Sequence, residues 1–413
     1  MDATFMTGLK IAHVRHLKDI QILLSSDERR TLILTGKNGS GKTSVLEAIK
    51  DFLQFATSSN FHMESECRSG IVSCEKRIET KDETEKGRIE SERVGQSLEI
   101  WQSMLRHWTD GAVVEFSSYS NLRDKYRNGD FILAYYGDKR EVQVQKVKNI
   151  EKVNLKPVYS LADHPSQQLE KYLVDLKTTE AFATTNDKPE RAREIKNWFS
   201  RFLKILRTIY EDNSLTLDFN IDTFQFTINV SGRDPFNFNT MSMGYAAIFD
   251  IVSDLIMRME SKGRRQYDLE GLVLIDEIET HLHVELQKKI VPILMDLFPN
   301  LQFVLTTHSP FILNSTPKAI IYDLETGTLV KDGLTDTPYD GIVEGYFGAD
   351  LLSQELRAKF EEYKSLVQKP ELTNADFAKA AELEVYLDEV PDYLAWDFSS
   401  EYSRLKLELS KRG

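Results

Sequence analysis

The stretch Gly36-Lys37-Asn38-Gly39-Ser40-Gly41-Lys42-Thr43 constrains this chain more than any other. It follows the apolar run Thr31-Leu32-Ile33-Leu34-Thr35 and opens the helix-like run Ser44-Val45-Leu46-Glu47-Ala48-Ile49. Strand, glycine loop and helix in that order turn successive backbone N–H groups towards one anion, and the helix N-terminus adds its positive dipole end. A polyphosphate fits such a nest. In this reading Lys42 neutralises the β- and γ-phosphates, and the Thr43 hydroxyl ligates the Mg²⁺ that bridges them.

The 413 residues suffice for two units or for one large head carrying insertions. A net charge of −13 argues against coating of nucleic acid by the bulk surface. Arg191-Ala192-Arg193 and Lys262-Gly263-Arg264-Arg265 are candidates for a local basic patch. The two cysteines, Cys67 and Cys74, match neither a zinc pair nor a disulfide framework. The N-terminus reads as no signal peptide, and no apolar run approaches membrane-spanning length. The expectation is a cytoplasmic protein with no membrane partner.

Residues 8–24 alternate apolar and polar side chains as a strand pair does, with Arg15 between the strands. The helix after the glycine loop is expected to end near Phe55. Dense mixed charge from Glu64 to Arg93 marks a surface insertion whose interleaved acids favour a solvated face over a ligand grip. Strand signals return at 112–116 and 131–136. Helical periodicity from about Pro165 to Tyr210 puts Ile195, Trp198, Phe199, Phe202, Leu206 and Ile209 on one face, which reads as core and not as a base-stacking platform. A hairpin at 215–230 precedes a helix start at Met241-Ser242-Met243-Gly244. The runs Leu272–Ile275 and Leu301–Leu305 read as strands buried on both faces. Pro292 is expected to kink or interrupt the helical run 284–297.

Polar groups come directly after those two buried strands, where doubly wound sheets bind ligands. Asp276 is placed to hold Mg²⁺, directly or through water, and Glu277 to accept a proton from the attacking water. His308, after the second strand, is placed to donate to the γ-phosphate. His281, His283 and Glu279 tempt a zinc reading, which their spacing does not support.

The order of the glycine loop, Ser242-Met243-Gly244, Leu274-Ile275-Asp276-Glu277 and His308 resembles the ATP-binding-cassette head shared by SMC, RecF and OLD-like ATPases. The run Asp276-Glu277-Ile278-Glu279-Thr280-His281-Leu282-His283 is similar to that of the OLD-like branch, and Thr306-Thr307-His308-Ser309-Pro310 to its switch-histidine segment. The resemblance implies an α/β fold: an ABC-ATPase head with a mixed or parallel sheet, a helical insertion lobe and a C-terminal helical tail. Residues 1–340 would form the head, with the charged insertion at 59–104 and the helical lobe at 161–212; residues 341–413 would bind a partner.

It also implies ATP and Mg²⁺ as cofactors and a homo-oligomer in which two heads sandwich ATP. Arg15 would lie near the nucleotide, Ser242 and Gly244 would contact the γ-phosphate held by the opposite head, and Gln143 or Gln145 would supply a Mg²⁺-contacting glutamine. The tail reads as two helices, 353–367 and 374–390, with no paired aspartates of a nuclease. Compact heads of this kind resemble the ATPase subunits of bacterial anti-phage systems of Septu or PARIS type, which control a separate nuclease. The alternative is a RecF- or SMC-like DNA-binding ATPase of repair or maintenance.

Overall fold

Alternation makes the first strands and continuity makes the later ones. β1 (Met6–Val14) and β2 (Leu17–Leu23) pair antiparallel around a turn at Arg15 and His16. β3 (Thr31–Thr35) is buried at every residue and runs into the glycine loop, from which α1 (Lys42–Thr57) departs. Next come α2 (Glu64–Glu79), α3 (Glu85–Thr109), β4 (Gly111–Phe116), α4 (Tyr119–Arg127) and β5 (Phe131–Tyr136). This computed structural model describes residues 3–79, 85–138, 147, 149–261, 267–346, 354–388 and 396–411.

A helical lobe comes next, α5 (Leu169–Thr185) and α6 (Pro189–Tyr210), then the hairpin β6 (Thr216–Asn220) and β7 (Gln225–Asn229). The chain returns through α7 (Met243–Glu260), β8 (Glu270–Ile275), α8 (Val284–Leu297), β9 (Leu301–Thr306), α9 (Pro310–Leu313), β10 (Ala319–Asp323) and β11 (Leu329–Val330). One sheet has the order β2-β1-β4, all antiparallel, and a six-stranded sheet has the order β11-β10-β3-β9-β8-β5. The five strands from β10 to β5 are parallel, and β11 joins β10 antiparallel. The sheet is therefore mixed and the fold α/β.

α1 fills the space between the sheets with Val45, Leu46, Ile49, Phe52 and Leu53, all buried. Gln302, buried in β9, ties the sheets directly: its side chain accepts from Met6 N at 2.7 Å and donates to Met6 O at 3.0 Å. The charged run after residue 64 forms the helices α2 and α3, which pack on each other. Cys67 and Trp108 reach the core, and Trp108 Nε1 donates to His62 O at 3.0 Å. Pro292 does not interrupt α8, whose buried Ile290, Val291 and Leu294 hold the helix despite the missing donor.

The chain divides into two units, Met1–Asp336 and Thr337–Gly413. The second holds a short turn α10 (Tyr339–Gly341) and three helices, α11 (Gln354–Val367), α12 (Asn374–Leu387) and α13 (Trp396–Ser410), where the sequence pattern predicts two. Its own core joins Phe360, Tyr363, Leu383, Leu387, Tyr402 and Leu405.

The lobe's aromatic stripe is core: Trp198 and Phe202 are buried and stack with ring centroids 5.3 Å apart, and Phe202 also meets Phe238 and Phe249. Phe202→Ala should therefore lower the unfolding free energy by about 3–5 kcal/mol in urea titrations. A loss below about 1 kcal/mol would contradict its core role.

Candidate active site

Parallel strands end side by side, so the residues just beyond their C-terminal ends meet at one edge. β3 leads into the glycine loop, β8 into Asp276-Glu277 and β9 into Thr307-His308, and β9 lies between the other two. Backbone bonds lock this edge: Thr307 N donates to Leu34 O at 3.1 Å, Ile278 N to Thr306 O at 3.2 Å, and Asp276 N to Tyr136 O at 2.8 Å.

The loop takes conformations that side chains resist, with φ of +132° at Gly36 and +99° at Gly41. A Cβ on Gly41 would lie 3.0 Å from Leu17 Cδ1, so the turn carrying Arg15 is packed close to the loop. Arg15 itself is exposed. Lys37, Asn38 and Gly39 are exposed, whereas Ser40 is buried and its Oγ has no hydrogen-bond partner. An orphaned hydroxyl within a loop of amide donors fits an anionic oxygen.

Lys42 is buried, and its ammonium donates to Gly36 O at 2.9 Å and Lys37 O at 3.1 Å. Burial lowers its pKa, and the carboxylates of Glu277, Glu279, Asp276 and Asp323 oppose that shift. The surplus of carboxylate over cation around Lys42 suits a polyphosphate that arrives with a divalent cation. Thr43, exposed on the first turn of α1, and buried Asp276 are the residues that would hold that metal.

Thr306 organises the acids. Its hydroxyl donates to Asp276 Oδ1 at 2.5 Å and accepts from Glu277 N at 2.7 Å. Glu277 has φ of +44°, a left-handed conformation that costs a non-glycine residue about 1–3 kcal/mol and is held by such contacts. Glu279 has a role that its sequence pattern did not assign. It accepts from Thr307 Oγ1 at 2.8 Å and from His308 N at 2.5 Å, and so fixes the segment that carries His308. The signal was its place two residues after Glu277.

Ser242 and Gly244 lie elsewhere. Ser242 caps α7 without a side-chain bond to the helix. Together they line a cavity of about 360 Å³ with Arg233, Tyr245, His281 and Lys289, and none of residues 36–43 lines it. A Cβ on Gly244 would lie 3.1 Å from His281 O, so glycine lets α7 approach the loop after Glu277. Lys42, Asp276, Glu277 and His308 are thus brought together, and Ser242 and Gly244 form a second locus. Arg191 pairs with Glu194 at 3.0 Å. Gln143, Gln145 and the basic run 262–265 lie outside the described residues.

Burial, reinforced by the charge of Lys42, holds the His308 pKa below the ordinary 6.5, against the pull of Glu279, Glu277 and Asp276. The folded chain therefore resists a proton that the unfolded chain accepts near 6.5. Stability should fall as pH drops through that value, and His308→Gln should flatten that part of the dependence in urea midpoints taken between about pH 5 and 8. An NMR titration midpoint for His308 above 6.5 would contradict the assignment.

Residues 32–314, more than half of the chain, match the family described as "AAA domain, putative AbiEii toxin, Type IV TA system". A Vibrio cholerae protein named "Retron Vc95 probable ATPase" is 24% identical over 84% of this chain and 81% of its own length. "Septu protein PtuA" of Bacillus mycoides is 24% identical over 75% of this chain, and the match spans only 39% of that relative. A solved Smc head from Pyrococcus furiosus covers 83% of this chain and 99% of its own at 15% identity, with a TM-score of 0.39. The chain belongs to the matched AAA-domain family of ATPases.

Proposed function

We propose that this protein is a Mg²⁺-dependent ATP-hydrolysing subunit of an anti-phage defence complex, that two heads close around ATP, and that the nucleotide state regulates a separate effector nuclease. The observation that carries the reading is the separation of two half-sites. Lys42, Asp276, Glu277 and His308 share the strand edge, while Ser242 and Gly244 line a cavity away from the glycine loop. A serine hydroxyl and free N–H groups at a helix start suit a phosphate that their own chain's loop does not present.

The residues divide the work by position. The loop amides and Ser40 hold the phosphates, and Lys42 exchanges its carbonyl contacts for phosphate oxygens. Bound Mg²⁺ would supply charge neutralisation across the β- and γ-phosphates, held by Thr43 and Asp276. Glu277 accepts the proton of the attacking water, and His308 donates to the γ-phosphate. ATP then acts as glue between heads, and slow hydrolysis releases it.

The defence assignment is supported by relatives named as retron and Septu proteins. In the unit Thr337–Gly413, Val385 and Leu407 are large apolar side chains left exposed, and we assign this unit to effector docking.

Glu277→Gln should lower turnover at saturating ATP by about 10²–10⁴-fold while nucleotide binding persists. Lys42→Ala should lose binding itself. Unchanged turnover in Glu277→Gln, measured by phosphate release, would refute the assigned base. Tagged protein expressed from its native operon should bring down a neighbouring gene product in amounts that change with ATP; the absence of any such product removes the effector model.

A further inference from the structure

We propose that Arg233 acts in trans: its guanidinium contacts the terminal phosphates of ATP bound by a second copy of this chain. The inference rests on the paired-head reading above and adds to it a charged residue that neither the glycine loop nor the helix start at Ser242 supplies.

Arg233 sits on a pinned turn. Ile228, within β7, bridges antiparallel to Phe236, with Ile228 N donating to Phe236 O at 2.7 Å and Phe236 N to Ile228 O at 3.1 Å, which closes the intervening residues into a tip. Gly232 has φ of +72°, Arg233 N donates to Val230 O at 3.2 Å, and Asp212 accepts from Ser231 N at 2.8 Å. The guanidinium lies 5.3 Å from the centre of the Tyr245 ring, and Tyr210 stacks on that ring at 4.2 Å. Tyr245 follows Gly244 directly. An aromatic stack thus holds the cation beside the first turn of α7.

The charges of the cavity single this residue out. Lys289 is neutralised by Glu211 at 2.7 Å, and Glu285 by Lys288 at 2.9 Å. Among the described residues no carboxylate forms an ion pair with Arg233, so it is the uncompensated fixed cation of a cavity of about 360 Å³. Two helix starts converge on the same space, α7 at Ser242 and α8 at His283, and neither is capped by its own side chain. An arginine fork, a free serine hydroxyl and two helix N-termini select an anion with several oxygens, and a terminal phosphate meets that description. The chain's own glycine loop does not line the cavity, so the phosphate comes from another copy.

Complementation between two inactive variants tests this. Arg233→Ala and the more conservative Arg233→Gln, each assayed as the full chain with ATP and Mg²⁺, should bind nucleotide as wild type does, which also reports their folding. Each should lose at least about tenfold in turnover. Lys42→Ala should be inactive. Mixed in equal amounts, Lys42→Ala and Arg233→Ala should regain activity, because a mixed dimer pairs the intact loop of one copy with the intact Arg233 of the other. Recovery approaches about a quarter of wild type when half the dimers are mixed and each has one good site. Normal turnover in both Arg233 variants overturns the proposal, and so does loss of turnover that mixing fails to restore, since that places Arg233 in its own chain's site. An active Lys42→Ala instead overturns the underlying nucleotide-site reading.

Discussion

A buried ammonium surrounded by backbone carbonyls and carboxylates is the constraint on which this head depends. Lys42 is withdrawn from water at the first turn of α1, and the loop carbonyls of Gly36 and Lys37 together with carboxylates at the edge of the parallel sheet compensate it. That edge exists because β9 lies between β3 and β8, which brings Asp276, Glu277 and Glu279 to face the loop. Gln302 and the apolar side chains of α1 keep the antiparallel sheet in register with it. A polyphosphate that replaced the carbonyl contacts would draw on the geometry that holds this charge, so stability and ligand affinity would be coupled.

The strand edge that carries Asp276 and the helix that starts at Ser242 share a support. Arg258, buried near the end of α7, donates to Asp254 at 2.7 Å and to the carbonyls of Leu133 at 3.1 Å and Ser160 at 3.0 Å. Tyr136 OH donates to Asp254 at 2.7 Å, and the carbonyl of the same Tyr136 accepts from Asp276 N at 2.8 Å. The helix that starts at Ser242 is therefore bonded to the strand end that steadies Asp276. A buried pair of this kind is costly to break and fixes α7 against β5.

Much of the site was legible because local chemistry demands it. The glycine loop needs its residues consecutively, and a strand buried on both faces followed by Asp276-Glu277 announces where a parallel sheet ends. The roles of Glu279, Thr306 and Arg233 were not legible, since each depends on which chain segments meet across the fold. The helix α13 lies beyond the two tail helices that the sequence pattern predicts, although Tyr402, Leu405 and Leu409 carry helical spacing. The charged run after residue 64 hid helices whose Cys67 and Trp108 are core, because interleaved charges mask a narrow apolar stripe.

If, as proposed, ATP joins two heads, its binding must change the mass of the protein in solution. Solution mass by sedimentation, taken for Glu277→Gln with and without ATP and Mg²⁺ and for Lys42→Ala with both, tests it most directly. ATP should at least double the mass of Glu277→Gln and leave Lys42→Ala unchanged. Equal masses for Glu277→Gln in the two conditions, with ATP shown to be bound, would contradict it.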